Sequence, residues 1–140
     1  MRINNECARD VLKKIEEIPF GETLTIAKLH EDIKKYSIED VINAVTVLNR
    51  ERYLMVVGRP GYDDDDLFRD NKIKCLTERG VRNLDLIRDD NTWNLLKEKL
   101  PNFNDLSIYT IMIICSQLMN KKVNESLGLS DNYLVDYYRW

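Results

Sequence analysis

Besides a stub at Thr23-Leu24-Thr25, only two stretches of this chain read as strands, and four consecutive aspartates lie between them. Tyr53 to Val57 is a continuous β-prone run, while Lys72-Ile73-Lys74-Cys75-Leu76 alternates polar and apolar as a half-buried strand does. Gly58, Pro60 and Gly61 end the first run, and Asp63 to Asp66 cannot pack into an apolar interior, so they form an exposed loop. The sheet is therefore a small hairpin, and a lone hairpin needs helices to cover one face.

Those helices are legible on both sides. Cys7, Ala8, Val11, Leu12, Ile15 and Ile18 recur at helical spacing after a cap at Asn4 or Asn5. Arg9, Lys13, Lys14, Glu16 and Glu17 take the opposite side, and Pro19 and Gly21 stop the helix. Thr25 caps a second helix with Ile26, Leu29 and Ile33 inward and Lys34 and Lys35 near its end. Ser37-Ile38-Glu39-Asp40 then caps a third, carrying Val41, Ile42, Val45 and Leu48 and running to about Glu51. Beyond the hairpin, Thr77 caps a fourth helix with Val81, Leu84 and Ile87. Asp89, Asp90 or Asn91 caps a fifth with Trp93, Leu96 and Leu100; Asn104 or Asp105 opens a sixth that closes at Gly128.

Helix, stub, helix, helix, strand, loop, strand is the order of a winged helix-turn-helix. The expected class is mainly α with a small β-hairpin (α+β). A winged-helix domain spans 1–76, C-terminal helices span 77–129, and an aromatic tail spans 130–140 with Tyr133, Tyr137, Tyr138 and Trp140. No glycine-rich nucleotide loop, internal repeat or βαβ alternation competes with this order.

Composition narrows the class of protein. At 140 residues, 44% hydrophobic and 32% charged, the chain is one domain, or a domain with an appendage, and too apolar for disorder. Its three cysteines are odd in number and far apart, which fits a reducing cytoplasm rather than a disulfide framework. No secretory signal is visible, and the apolar stretch from Leu106 to Met119 is too short to span a bilayer. The net charge of −3 is concentrated in residues 59–70, where two basic groups face five acidic ones.

Residues 76–97, LTERGVRNLDLIRDDNTWNLLK, carry a resemblance. Leu76-Thr77, Gly80, Leu84, Ile87-Arg88-Asp89-Asp90 and Trp93 resemble a bacterial and phage family known as a domain of unknown function. The opening, Arg2-Ile3-Asn4 through Asp10-Val11-Leu12, and the Leu127-Gly128-Leu129 sequence are similar to the same family. Glu78, where an aromatic is expected, and the tail after Leu129 depart from it. The resemblance implies an N-terminal winged helix, a C-terminal helical segment and a phage or mobile-element origin, and no catalytic residues. Thr77 and the acids at 89–90 also read as helix caps and Trp93 as a core anchor; Arg88, Asp89 and Asp90 as a contact surface is the alternative.

Catalytic and metal chemistry find little support. His30 is the single histidine, and Cys7 and Cys75 fall on faces expected to be buried, where a thiol is inert. The cysteines lack zinc-ligand spacing, and an unbroken aspartate run lacks the spacers and turn glycine of a calcium loop. The expectation is a non-enzyme without cofactor.

Two contact surfaces remain. Asp63, Asp64, Asp65 and Asp66 are expected to meet a basic host or phage protein, in the manner of nucleic-acid phosphate. DNA would enter against the N-terminal end of the third helix, where Glu39 and Asp40 stand, and against the same acidic wing. DNA-binding regulation is therefore the alternative, through a lateral patch of Lys34, Lys35, Arg59, Lys72 and Lys74. The sixth helix is apolar on more than one side: Ile108, Ile111, Met112 and Cys115 form one stripe, while Tyr109, Ile113 and Ile114 are left for a homodimer interface. The expected protein is a cytoplasmic, non-catalytic interaction or regulatory module, dimeric and not membrane-bound.

Overall fold

Every α-helix of the described residues begins at a side-chain oxygen that accepts a backbone N–H three residues on, so short polar residues fix where each one starts. Asn4 accepts from Cys7 at 3.1 Å, Thr25 from Lys28 at 3.2 Å and Ser37 from Asp40 at 3.1 Å. Thr77 accepts from Gly80, Asp89 from Thr92 and Ser107 from Thr110, each at 3.0 Å. The computed structural model describes residues 3–57 and 72–128. Its elements are α1 (Asn5–Glu16), α2 (Ile26–Asp32), α3 (Ile38–Arg50), β1 (Leu54–Val57), β2 (Lys72–Leu76), α4 (Glu78–Ile87), α5 (Asp90–Lys99) and α6 (Ile108–Leu127). The chain is thus mostly helical with one small antiparallel sheet, the α+β class its sequence announces.

The chain divides into two compact units, Met1–Leu84 and Asp85–Trp140, with the division inside α4. In the first unit α1 packs against α2, α3 and β2, and α3 packs against α2 and β1. Val11 and Leu12 of α1, Leu29 of α2, and Val41, Ala44 and Leu48 of α3 are fully buried among these elements. Leu54 and Ile73 are also buried, one from each strand. Leu24, the stub expected from the sequence, makes an isolated bridge to Ile73 with 2.8 Å hydrogen bonds in both directions.

The strands pair Leu54 with Leu76 and Met55 with Cys75. The register then shifts, so that Val56 meets Ile73 and Val57 meets Lys72. That bulge breaks the strict alternation along β2. Ile73 and Leu76 are buried and Cys75 is only half-buried, a correction to the expectation that Cys75 lies on a fully inward face.

The corner between α3 and β1 explains the Thr77-Gly80 pair. Arg52 turns the chain in the left-handed region, at φ 64°, and buried Tyr53 follows it. Thr77 donates its hydroxyl to the Arg52 carbonyl at 2.6 Å, and its backbone N–H reaches the Tyr53 carbonyl at 3.0 Å. The start of α4 therefore lies so close to this backbone that a Cβ on Gly80 would overlap the Tyr53 carbonyl. Arg79 completes the corner, 3.6 Å from Glu51 and with its guanidinium 5.5 Å from the Tyr53 ring centroid.

In the second unit Trp93 is buried and meets Phe103 edge-on, with centroids 5.0 Å apart. Phe103 belongs to a short 3-10 turn, Phe103–Asp105, and Leu106 closes it by donating to the Asn102 carbonyl at 3.1 Å. This turn moves the start of α6 to Ser107, past the Asn104 or Asp105 start expected from the sequence. Gly128 ends α6 at φ 70°, as its position implies. No helix among the described residues is long and apolar enough to cross a membrane.

Candidate functional site

Where α2 stops decides what the first unit presents. Ile33 leaves helical geometry at φ −127°, ψ 55° while its side chain stays buried at 7% exposure. Helix α2 therefore ends at Asp32. Lys34 and Lys35 lie in the turn after it, not in its last turn as the helix-dipole reading expects, and both are exposed. Across from them runs the polar side of α1. The two segments enclose an open cleft of about 510 Å³ lined by Asp10, Lys13, Lys14, Glu17, Asp32, Ile33, Lys34 and Lys35.

Tyr36 fixes one wall of this cleft. Its hydroxyl donates to Asp10 Oδ2 at 2.7 Å, and Lys35 Nζ lies 3.2 Å from the same oxygen and 5.1 Å from the Tyr36 ring centroid. Burial, and then the bond to Asp10, push the Tyr36 phenol above its ordinary range, so it remains a donor. His30 braces the same turn: its Nε2 lies 3.0 Å from the Tyr36 carbonyl, which can only accept, so Nε2 carries the proton. Lys14 pairs with Glu17 at 3.3 Å and Lys28 with Asp32 at 3.5 Å. Lys13 and Lys34 have no carboxylate partner among the described residues.

Of the lateral patch expected from the sequence, Lys34 and Lys35 meet in this cleft. Lys72 and Lys74 are exposed on β2 and do not line it. Arg59 lies outside the described residues, as do Asp63, Asp64, Asp65 and Asp66. Lys13, Lys14 and Asp10 are the members that sequence reasoning missed. The available signal was the repeated Lys-Lys pair, one on α1 and one just after the next helix.

The two acids at the start of α3 part company. Glu39 is exposed, whereas Asp40 is half-buried and close enough to Cys7 to disfavour its thiolate. Burial first, then Asp40 and Asp10, push the Cys7 thiol up to about 12. Burial alone pushes Cys115 up to about 12. No group of three or more His, Cys, Asp or Glu side chains able to hold a metal ion occurs among the described residues.

Of the α6 residues expected at an interface, Tyr109 is 39% exposed while Ile113 and Ile114 are half-buried. Ile108, Ile111, Met112 and Cys115 are buried, as the stripe requires. The helix also buries Asn120 and Asn124, whose amide donates to the Asn120 carbonyl oxygen at 3.3 Å.

No curated protein and no solved structure matches the chain. A family model does, over residues 2–104, which takes in α1 to α5 and the Thr77-Gly80 corner. The chain belongs to the family described as hypothetical protein (DUF2513).

Proposed function

We propose that the chain is a non-catalytic winged-helix interaction or regulatory module of phage or mobile-element origin, acting in the cytoplasm through protein contacts. The observation that carries this reading is the outward surface of α3, the element that would enter a DNA groove. Exposed Glu39 stands at its leading end, half-buried Ile42, Asn43 and Val47 follow, and its one basic residue, Arg50, comes last. Such a surface does not neutralise phosphate, and it is apolar enough to meet protein. Exposed Phe20, Met55 and Val57 in the same unit add apolar contact area. The raised Cys7 and Cys115 thiols and the structural hydrogen bond of His30 support a non-catalytic role.

Asp63 to Asp66 would address a basic protein surface, and α6 would join two copies through Tyr109, Ile113 and Ile114. A mobility-shift titration of mixed-sequence duplex at low salt tests the reading: little retention is expected, and tight sequence-selective retention refutes it. The second reading, a DNA-binding regulator, draws on four lysines lining one cleft. It requires retention that is lost when those lysines are neutralised.

A further inference from the structure

We infer that the cleft between α1 and the turn after α2 binds an acidic peptide segment of a partner protein, an assignment that rests on the protein-contact reading above. The ionic inventory of the cleft selects this ligand. Lys14 and Lys35 are engaged by Glu17 and Asp10, whereas Lys13 and Lys34 have no carboxylate partner among the described residues. Asp10, Glu17 and Asp32 share the same walls.

A nucleic-acid backbone brings closely spaced phosphates and no strong donors along its edge, so three carboxylates oppose it. A peptide can space its side-chain carboxylates to meet the Lys13 and Lys34 ammonium groups and keep them clear of the three wall carboxylates. Each of those is already paired: Asp10 with Tyr36 and Lys35, Glu17 with Lys14, Asp32 with Lys28. The cleft is also built to hold its shape. The Tyr36 hydroxyl and Lys35 ammonium fix Asp10, His30 holds the Tyr36 carbonyl, and buried Ile33 anchors the turn that carries Lys34. A volume of about 510 Å³, open to solvent, accepts several residues of extended chain and exceeds what a single inorganic anion fills.

The experiment is a fluorescence-anisotropy titration of the full chain with a labelled twelve-residue peptide rich in Asp and Glu, at low and at physiological salt. Saturable binding is expected, weakened at least tenfold by the Lys13→Gln/Lys34→Gln pair. The charge-matched Lys121→Gln/Lys122→Gln pair on α6 should change it less than twofold. Circular dichroism of both variants checks that folding is intact. No binding by the wild type, or equal loss in the two variants, overturns the proposal. Competition by inorganic phosphate or by duplex that also depends on Lys13 and Lys34 overturns it in favour of a phosphate site. Self-association abolished by the same pair overturns it in favour of a second copy as the occupant. Retention of duplex that Lys13→Gln/Lys34→Gln leaves intact would instead refute the protein-contact reading and leave the peptide result standing.

Discussion

Gly80 shows two residue-scale forces with opposite signs. Helix propensity alone makes Gly80→Ala stabilising by about 1 kcal/mol. The close approach of α4 to the Tyr53 carbonyl makes it overpacked, and overpacking costs roughly 1–3 kcal/mol. Gly80→Ala should therefore lower stability, which urea unfolding of the variant measures; a higher midpoint would show that the corner relaxes. The cysteines make a second case. At pH 8 a thiol reagent should label half-buried Cys75 first and spare Cys7 and Cys115, both buried with thiols pushed up to about 12. Mass mapping of the labelled protein decides the order. The linkage follows from the same shifts. The folded state holds these two protons more tightly than an unfolded chain with thiols near 9.0, so their stabilisation is complete below about pH 9. It is lost as pH climbs toward 12, and replacing Cys115 with Ala should flatten that alkaline decline.

At the scale of elements, the caps carry most of what could be read from the chain. Asn4, Thr25, Ser37, Thr77 and Gly128 act at their expected positions because capping is a local competition between one side chain and water for a backbone group. Boundaries set by tertiary contacts were not legible. The end of α2 depends on Ile33 turning into the core, and the start of α6 depends on Phe103 meeting Trp93, contacts that no local pattern encodes. The same holds for the candidate site. Lys34 and Lys35 were visible as a pair, but Lys13 and Lys14 join them only once α1 and the turn after α2 are brought side by side. The displaced α6 boundary is testable. Ser107→Ala should cost about 1 kcal/mol, the usual value of a lost N-cap, while Asn104→Ala at an exposed position costs far less. Thermal unfolding of the two variants separates them; equal losses would return the start of α6 to Asn104.

For the molecule as a whole, the proposed role is to carry protein contacts. If α6 joins two copies, sedimentation equilibrium should give twice 16.5 kDa, falling to a single chain with Tyr109→Lys. A monomeric wild type would remove the dimer and leave the rest standing. The proposal turns on electrostatics: if α3 is the groove-entering helix of a winged helix, the exposed carboxylate of Glu39 occupies the end that would face the bases. The decisive comparison is the duplex affinity of the wild type and of Glu39→Lys, measured side by side at low salt. Weak, unselective binding by the wild type and severalfold tighter binding after the charge reversal are expected; tight, selective wild-type binding that the reversal weakens would refute the protein-contact proposal.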